Sequence, residues 1–588
     1  MAFQGLFSTF VVTALPRSCP PPAINKFKLY SKPVQCVTNP TTTINNDQVT
    51  LRRSANYAPC FWDYNFIKSL TSDYTEEKYA RQIDELEDDV KRLIQAETDV
   101  PLVKLELLDT VDRLGLKYKF QEDVKKALDF IYNNSSDAWL NDDLYSTALR
   151  FRILRKHGYT VPQADVFRRF KDDKGKFKEN LGEDVKGLLS LYEASFFGFK
   201  GEDTIDEAKA FSTTHLKNAL KGKISPDMVR KLKNALDMPL HWKLPRVEAR
   251  SYIDTYENEQ NMNPSLLNLA KLDYNILQSI YQKEVSKLAS WWVKTGLDKM
   301  SFARDRLLEH YFWCNGMVSG PEYSAYRDMG TKILSLMTTI DDVYDVYGSL
   351  EELELFTDYV ERWDITEIDK LPMNIRTVLL AMFNTTNEIG YWTMRERDFN
   401  IIPYLRKEWA KLLKAFLKEA KWYHSRYQPT LEEYLENGAV SVAAPLVLFC
   451  AYFLTADKIT VDALEYIDKF PSIMWCPSLI LRLTNDLGTY SDELARGDTL
   501  KVVQCYMNDT GASEEVSKIY VEGLVHETWK TLNTELLGSF PFGEPFLSAN
   551  PNLARTTQTV YQHGDGLGLP ENGTMDYLKS LLLEPINL

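Results

Sequence analysis

Helical periodicity runs through nearly every segment of the chain that follows the first fifty residues. Apolar residues recur at intervals of three and four in segments such as EEKYARQIDELEDDVKRLIQ and LLNLAKLDYNILQSIYQKEVSKLASWW, which is the pattern of a helix with one buried face. Alternating runs of β-branched residues joined by Asn-Gly turns, which would indicate β-hairpins, do not occur in the sequence. The sequence therefore predicts an all-α protein.

The chain is long enough to require more than one hydrophobic core. Its 588 residues exceed what a single core usually organises, so two domains are expected. The polar stretch YENEQNMNPS around Asn261 is the predicted boundary. We expect an N-terminal helical domain over residues 52–261 and a C-terminal helical domain over residues 262–588.

Residues 1–51 differ in composition from the rest of the chain. They are rich in serine and threonine and contain a single acidic residue, Asp47, which is typical of an organelle transit peptide. A secretory signal is the alternative, because FSTFVVTAL could serve as its apolar core. The preceding MAFQG lacks the basic residues of such a signal, so we expect import into a plastid or a mitochondrion.

Charge and cysteine content limit the partners of this protein. The formal net charge of −14 argues against a nucleic-acid-binding surface but permits local binding of cations. The seven cysteines are scattered and form no CxxC pair, which fits a reducing compartment and provides no zinc site. We therefore expect neither a nucleic-acid partner nor a thiol-bound metal.

One uncharged segment is long enough to cross a bilayer. It runs over residues 437–456 (NGAVSVAAPLVLFCAYFLTA), contains Ser441, and has Pro445 near its middle. Amphipathic helices are predicted on both sides of it. We interpret the segment as a buried, broken helix and expect no membrane span.

The stretch TTIDDVYDVYG, residues 338–348, places three aspartates beside an apolar helical stripe. Asp341 and Asp345 are one turn apart, so their charges repel in an isolated helix, and a carboxylate beside a core loses hydration. The stretch ends at a glycine, after which Ser349 and Glu352 have the spacing of a capping box at the start of the next helix. The aspartates need an opposing charge to offset this cost.

A second polar column occurs in the segment LILRLTNDLGTYSDELARGD. Its members are separated by three or four residues, so they project from one helix face: Arg482, Asn485, Thr489, Glu493 and Arg496. The three central residues offer oxygen ligands to a cation, and the two arginines would hold the anionic partner of that cation.

Oxygen ligands without histidine or cysteine favour a hard ion, Mg²⁺ or Mn²⁺. Few protein ligands, with water completing the shell, are typical of Mg²⁺ shared with a substrate phosphate. Neither an EF-hand spacing nor a Walker GxxxxGK[ST] motif is present. A DDxxD pattern alone can be an acidic surface turn, but two oxygen-rich columns in one domain predict a metal–diphosphate site.

These two motifs resemble those of the class I terpene synthases. DDVYD is similar to the DDxxD motif of that family, and NDLGTYSDE to its (N/D)Dxx(S/T)xxxE motif. RRSANYAPCFW resembles the RR-x8-W of angiosperm monoterpene synthases, FARDRLLEHYFW contains the family's RxR, and YQHGDG resembles the loop that closes over the cavity. The resemblance implies a C-terminal class I terpenoid synthase α-bundle, which is catalytic, and an N-terminal α-barrel-like domain.

The resemblance also implies a set of metal and substrate ligands. The residues implied to bind Mg²⁺, usually three ions in this family, or Mn²⁺, are Asp341, Asp345, Asn485, Thr489 and Glu493. The residues implied to bind the diphosphate are Arg304, Arg306, Arg482 and Lys501. The metal ligands Asp341, Asp345 and Asn485 are implied to contact the substrate as well. Asp342 would hold an arginine or a water, and the aspartates would be compensated only when metal and diphosphate arrive.

Five further residues receive catalytic roles from the resemblance. Trp313 would stabilise a carbocation by a cation–π interaction, and Tyr561 and Asp565 would assist the final proton removal. Arg52 and Arg53 would cover the closed site and help to isomerise the substrate. Cys314 and Asn315 follow Trp313 and are expected to face the cation, where Asn315 would position a water that yields an alcohol.

The function implied is that of a monoterpene synthase in the plastid stroma, a monomer or homodimer. It would convert geranyl diphosphate into an olefin or alcohol plus diphosphate. The alternatives are a sesquiterpene synthase that uses farnesyl diphosphate, an isoprene-type synthase, and a catalytically dead helical scaffold. Chain-elongating prenyl transferases usually carry two DDxxD motifs and class II cyclases a DxDD motif, and this sequence contains one of the former and none of the latter.

Overall fold

The computed structural model describes residues 52–97, 100–133, 143–497, 499–567 and 573–588, apart from the side chains of Asp492 and Arg496. The predicted transit peptide and the side chain of Arg496 therefore lie outside the described residues. Within these ranges the structure contains α-helices and short 3₁₀ turns but no strand, and its single β-bridge joins Lys171 to Phe177. The prediction of an all-α fold is confirmed.

Ten helices precede residue 257 in the described part of the chain. They are α1 (Tyr64–Lys68), α2 (Glu76–Gln95), α3 (Pro101–Arg113), α4 (Gln121–Asn133), α5 (Leu144–Lys156), α6 (Gln163–Phe167), α7 (Val185–Ser195), α8 (Asp203–Ala219), α9 (Pro226–Asp237) and α10 (Pro245–Tyr256). Fourteen follow within the described residues: α11 (Pro264–Thr295), α12 (Leu307–Met317), α13 (Ser324–Asp342), α14 (Leu350–Arg362), α15 (Met373–Arg397), α16 (Ile402–Ser425), α17 (Leu431–Ser441), α18 (Ala444–Thr455), α19 (Val461–Asp468), α20 (Ser472–Arg496), α21 (Val502–Thr510), α22 (Glu514–Glu535), α23 (Phe546–Val560) and α24 (Thr574–Leu582).

The helices enclose two main hydrophobic clusters. One draws mainly on α2 to α6, and the other mainly on helices that follow residue 276. The long helix α11 belongs to both, because Leu266 and Tyr274 pack in the first cluster while Leu277 and Trp292 pack in the second. A smaller third cluster joins α7, α8 and α9.

Helix α13 does not continue regularly through the first acidic motif. It ends at Asp342 and widens into a π-helical turn over Val343–Tyr347, which the N–H of Gly348 closes on the carbonyl of Val343 at 2.8 Å. A Cβ at Gly348 would lie 2.6 Å from Cδ2 of Leu353, so this close approach requires glycine. The sequence predicted a regular helix here, whereas single π turns of this kind are frequent at functional sites.

The uncharged segment forms two helices rather than one. α17 and α18 are separated by Val442 and by Ala443, whose φ of +69° lies in the left-handed region. Residues 431–455 are long and apolar enough to cross a membrane, but 83% of their most apolar window is buried inside the structure. Pro445 occupies the first turn of α18, where its missing N–H is tolerated. The segment is broken and buried, as expected from its proline and its neighbours.

Candidate active site

The two predicted metal motifs line one cavity of about 450 Å³. Asp341 and Asp345 reach it from α13 and the π turn, and Asn485, Thr489 and Glu493 reach it from α20. The rest of the wall is largely apolar and comes from α12, α13, α16, α18, α20 and α23; it includes Trp313, Leu334, Met337, Phe416, Val447, Leu481 and Leu553. A cavity lined by both oxygen donors and apolar side chains suits a substrate with a charged head and a hydrocarbon tail.

Arg304 compensates the charges of two of the three aspartates. Its Nε donates to Oδ1 of Asp342 at 2.9 Å and its Nη2 donates to Oδ2 of Asp341 at 2.6 Å. The backbone N–H of Arg304 also donates to Oδ2 of Asp342 at 2.7 Å. The expectation that only metal and diphosphate offset the charge was wrong, because sequence spacing could not reveal this pair.

The three aspartates differ in their surroundings. Asp342 is fully buried, so desolvation acts mainly on this carboxyl, and Arg304 satisfies both of its oxygens. Asp345 is exposed to solvent, and Asp341 is partly exposed. Burial would lower the pKa of Arg304, but Asp342, Tyr57 and Asp341 together outweigh it and raise that pKa well above its usual range. Asp342 therefore holds the arginine, while Asp341 and Asp345 line the cavity.

The oxygen donors fit hard divalent ions that are shared with a substrate. Among the described residues, no three carboxylates, imidazoles or thiols come together closely enough to hold a metal alone. The donor set instead combines carboxylates with the amide of Asn485 and the hydroxyl of Thr489. That hydroxyl donates to the carbonyl of Asn485 at 2.9 Å, so its oxygen keeps lone pairs for a ligand. Sparse protein ligation of this kind is typical of Mg²⁺ bound with phosphate.

Asp486, which had no predicted role, holds Arg482 in the cavity wall. Asp486 is 1% exposed, and its Oδ1 lies 3.1 Å from Nε of Arg482. Its Oδ2 accepts from the hydroxyl of Tyr434 at 2.7 Å and from the N–H of Val502 at 3.1 Å. Arg482 also donates to the side chain of Asn485. Asp486 thus orients the arginine and joins α17, α20 and α21.

Lys501 lies at the start of α21 and lines the same cavity. Burial would lower the pKa of Lys501, but the carboxylates of Glu493 and Glu419 outweigh it and raise that pKa. Nζ of Lys501 is 3.8 Å from Oε2 of Glu419. Glu419 was not predicted, because no motif marks it. The cavity therefore contains three cationic side chains that line it, those of Arg304, Arg482 and Lys501.

The predicted aromatic and C-terminal residues also reach the cavity. Trp313 and Tyr561 both line it and form a T-shaped pair with ring centroids 6.3 Å apart. Burial raises the pKa of Tyr561, so its phenol is neutral. Asp565 lines the cavity and accepts from the N–H of Leu567 at 3.2 Å.

Residues 52–62, the covering segment, precede α1, and residues 55–58 among them line the cavity. The guanidinium of Arg52 does not line it; it donates to both oxygens of Glu352, at 2.5 and 2.8 Å, and to the carbonyl of Tyr347. Arg53 donates to the carbonyl of Asp345 at 3.1 Å and lies over the ring of Tyr423. Both arginines therefore fasten the segment onto the first acidic motif.

Arg306 was predicted to bind the diphosphate, but it is not among the described residues that line the cavity. It is 1% exposed and donates to three backbone carbonyls, those of Ala58, Asp305 and Leu567, each at 2.8 Å. A buried guanidinium needs several acceptors, and these carbonyls supply them. Arg306 thereby ties the N-terminal segment to the C-terminal loop instead of lining the cavity wall.

Three further residues that line the cavity had no predicted role. Tyr57, His310 and Thr338 all line the cavity. They lie inside the quoted stretches RRSANYAPCFW, FARDRLLEHYFW and TTIDDVYDVYG but at none of the positions that define a motif, so only their closeness to motif residues hinted at a role. Cys314 and Asn315 are buried but are not among the described residues that line it. The expectation that they face the cation was therefore wrong.

An all-α fold in which oxygen-rich motifs, three cations and apolar side chains line one cavity is that of a class I terpenoid synthase. Residues 61–236 match the family described as terpene synthase, N-terminal domain, and residues 294–531 match the terpene synthase family, metal binding domain. The chain belongs to the plant terpene synthase family. It is an enzyme of the lyase class that acts on a prenyl diphosphate and uses a divalent metal.

Several characterised proteins are similar to this chain over most of its length. A beta-bisabolene synthase of Santalum austrocaledonicum and a (+)-alpha-terpineol synthase of Santalum album are each 51% identical over 95% of this chain and 97% of their own. A chloroplastic myrcene synthase of Quercus ilex is 46% identical over 95% of this chain and 93% of its own.

Two solved structures share the fold. Limonene synthase with 2-fluorolinalyl diphosphate superimposes with a TM-score of 0.88 at 41% identity, covering 91% of this chain and 100% of its own. Isoprene synthase from grey poplar, in complex with three Mg²⁺ ions and dimethylallyl-S-thiolodiphosphate, superimposes with a TM-score of 0.83 at 43% identity, covering 90% and 99%. Both support the two-domain all-α class I architecture.

Proposed function

We propose that this terpene synthase is a monoterpene synthase, which converts geranyl diphosphate into a C10 olefin or alcohol and diphosphate. The observation that carries the proposal is the cavity itself, which is lined by oxygen-rich motifs, three cations and aromatic and aliphatic side chains. The covering segment carries the RR-x8-W pattern, which favours the C10 substrate. The names of the similar terpineol, myrcene and limonene synthases support the same substrate class.

The chain's own residues divide the work between the two ends of the substrate. Arg304, Arg482 and Lys501 would bind the diphosphate, and Asp341, Asp345, Asn485, Thr489 and Glu493 would hold three Mg²⁺ ions, or Mn²⁺. These metals, when bound, supply Lewis-acid activation of the leaving diphosphate. When the diphosphate binds, the guanidinium of Arg304 would leave Asp341 and bind the diphosphate instead. Asp342 would keep the guanidinium oriented.

The apolar part of the cavity would protect and shape the carbocation. Trp313 offers an indole face that stabilises a cation, and the neutral walls exclude water that would capture it early. Arg52 and Arg53 act through the covering segment, which they fasten to Glu352 and Asp345. Tyr561 and Asp565 would lie beside the cation at the end of the reaction.

Domain organisation and location complete the proposal. Residues 1–51 would be a plastid transit peptide, residues 52–261 the N-terminal helical domain, and residues 262–588 the catalytic domain. The chloroplastic label of the similar myrcene synthase supports a plastid location. The mature enzyme would be a monomer or homodimer in the stroma.

A sesquiterpene synthase is the second candidate, and one observation favours it. The similar beta-bisabolene synthase, named for a fifteen-carbon product, is as identical to this chain as the terpineol synthase is. The first test is therefore gas chromatography–mass spectrometry of the chain that begins at Arg52, supplied with geranyl and then farnesyl diphosphate. Metal-dependent C10 products from geranyl diphosphate are expected. Products from farnesyl diphosphate alone would establish the second candidate, and no turnover of either would favour a catalytically dead scaffold.

Asp341→Asn tests the metal motif directly. Loss of one carboxylate should reduce diphosphate release about a hundredfold or more and raise the Mg²⁺ concentration needed for half-maximal rate. Asp358→Asn is the matched control, because Asp358 is an exposed aspartate on α14 that pairs with Arg362 at 2.7 Å. If the two variants released diphosphate at equal rates, Asp341 would not be a metal ligand.

A further inference from the structure

A histidine that no motif predicts lies in the wall of the cavity. His310 projects from α12, is 2% exposed, and lines the cavity together with Thr338 of α13. Its Nε2 is 2.8 Å from Oγ1 of Thr338, and its Nδ1 is 3.1 Å from Oγ of Ser335. Both ring nitrogens therefore have a hydroxyl partner, and only one of these hydroxyls, that of Thr338, belongs to a described cavity-lining residue.

The surroundings keep this imidazole neutral. Burial, together with the nearby Arg304 and Arg306, lowers the pKa of His310 to about 3. A neutral imidazole carries one N–H and one lone pair. It therefore donates to one hydroxyl and accepts from the other, and it adds no positive charge next to the cavity where a carbocation would form.

One of the two neutral tautomers of His310 permits proton acceptance through Thr338. With Nδ1–H donating to Ser335, the Nε2 lone pair accepts the hydroxyl proton of Thr338. The oxygen of Thr338, a residue that lines the cavity, then keeps lone pairs that can accept a further proton. In this arrangement the hydroxyl of Thr338 links the buried imidazole to the space that would hold the hydrocarbon.

We propose that Thr338 and His310 together accept the proton that ends the reaction, an inference that rests on the proposed function. The C–H bond next to the cationic carbon breaks, and its electron pair becomes the second bond of the product olefin. The proton passes to Oγ1 of Thr338 as the hydroxyl proton of Thr338 passes to Nε2 of His310. The products of the step are a neutral olefin and an imidazolium, whose Nδ1–H still donates to Ser335.

The low basicity of the buried ring does not prevent this step. A carbocation with an adjacent C–H bond is a far stronger acid than an imidazolium, so even a weak base accepts its proton. Once the olefin has left and water enters, the low pKa of His310 makes the imidazolium release its proton readily. The base is thereby restored for the next turnover.

Substitutions at Thr338 separate proton acceptance from cavity shape. Thr338→Val keeps the shape of the side chain and removes the hydroxyl, whereas Thr338→Ser removes a methyl group and keeps the hydroxyl. We expect Thr338→Val to lower the share of the main wild-type olefin among the products at least threefold, and Thr338→Ser to retain it. The measurement is gas chromatography–mass spectrometry of all products, normalised to the diphosphate released.

His310→Gln provides a second, independent variant. The amide preserves hydrogen bonding but is not basic, so this variant should change the product ratios in the same direction as Thr338→Val. Because the two residues act as one relay, the double variant should be no worse than the more affected single variant. Thr339→Val is the matched control, since Thr339 is buried one residue along α13 and donates to the carbonyl of Ser335 at 2.9 Å; its product ratios should equal those of the wild type.

The outcomes distinguish this inference from the proposed function. A wild-type enzyme that releases no diphosphate from geranyl diphosphate would refute the proposed function. A wild-type enzyme that turns over, with product ratios unaltered in Thr338→Val and His310→Gln, would overturn the inference alone. Product ratios altered in Thr338→Ser but not in Thr338→Val would mean that Thr338 only shapes the cavity. A wild-type product mixture without olefin would mean that no proton is removed at the end of the reaction. Either result would overturn the inference.

Discussion

Glu309 is a buried carboxyl next to the covering segment. It is 2% exposed, and its Oε1 accepts from Nε1 of Trp62 at 3.2 Å. Its Oε2 is buried and has no hydrogen-bond partner among the described residues. Burial raises the pKa of Glu309 from 4.5 to about 6. The tryptophan of the RR-x8-W stretch thus donates to a carboxyl that binds its proton more tightly in the folded state than in the unfolded state.

This pKa makes one contribution to stability pH-dependent. The folded state binds the proton of Glu309 more tightly than the unfolded state does, so the contribution is complete below pH 4.5 and is lost as the pH rises to about 6. Glu309→Gln cannot ionise and should therefore be more stable than the wild type at neutral pH by about 2 kcal/mol. The difference should shrink as the pH falls toward 4.5.

Thermal unfolding of both proteins across this pH range checks the expectation. The exposed Glu465 of α19 provides the control, because Glu465→Gln should shift the unfolding temperature equally at both ends of the range. A Glu309→Gln protein that is less stable than the wild type at neutral pH would mean that the ionised carboxylate is satisfied in the fold.

At the scale of elements, the contact between α17 and α20 positions a guanidinium. Gly438 of α17 lies against the side chain of Arg482 on α20, and a Cβ built there would be 2.8 Å from Cδ and 3.1 Å from Cγ of that arginine. These atoms are in the stem of the side chain, which Asp486 holds from its guanidinium end. Only a residue without a side chain lets the two helices approach while Arg482 reaches the cavity.

Gly438→Ala should therefore displace Arg482 and weaken substrate binding. We expect kcat/KM to fall about tenfold or more, because a small misplacement of a positioning group has large effects on rate. Steady-state kinetics with geranyl diphosphate measure the change. Gly523→Ala is the matched control, since Gly523 lies within α22 and a Cβ there meets nothing within 4 Å; it should leave kcat/KM unchanged and stabilise its helix by about 0.5–1 kcal/mol.

Another element-scale feature is the start of α14, which links the covering segment to the first acidic motif. Ser349 and Glu352 form the capping box that the sequence predicted, with the N–H of Ser349 donating to Oε2 of Glu352 at 2.9 Å. The same carboxylate accepts two hydrogen bonds from Arg52. One residue therefore caps a helix and anchors the N-terminal segment beside the π turn.

For the whole molecule, the covering segment connects distant parts of the chain around the cavity. The carbonyl of Ala58 accepts from Arg306, which also donates to Leu567 in the C-terminal loop. The ring of Tyr57 lies 5.1 Å from the guanidinium carbon of Arg304. Removing the segment would uncover the cavity and leave a buried arginine with one acceptor fewer.

Truncation tests this arrangement. A chain that begins at Arg52 should retain turnover, whereas a chain that begins at Asp63 should lose about a hundredfold in kcat/KM because water reaches the cavity and Arg304 and Arg306 lose their contacts with Tyr57 and Ala58. Product analysis should also show more water-captured alcohol. Equal activity of the two folded chains would mean that the segment does not cover the site during catalysis.

The sequence by itself determined the helical class, the break in the uncharged segment and the position of the two acidic motifs. These are properties of local spacing, since periods of three and four residues place side chains on one helix face and a proline limits the backbone of its neighbours. The capping box at Ser349 was predictable for the same reason, because its partners are three residues apart. The two acidic motifs were also recognisable as a pair, although nothing local required them to line one cavity.

Tertiary structure alone decided how the charged and titratable groups are paired. Arg306 donates to carbonyls 248 and 261 residues away, Arg304 to carboxylates 37 and 38 residues away, and His310 meets Thr338 across 28 residues. Such contacts depend on how helices pack, and no spacing in the sequence encodes them. A buried charge or lone pair takes whichever partner the packing brings within reach, because an unpaired one would cost too much free energy.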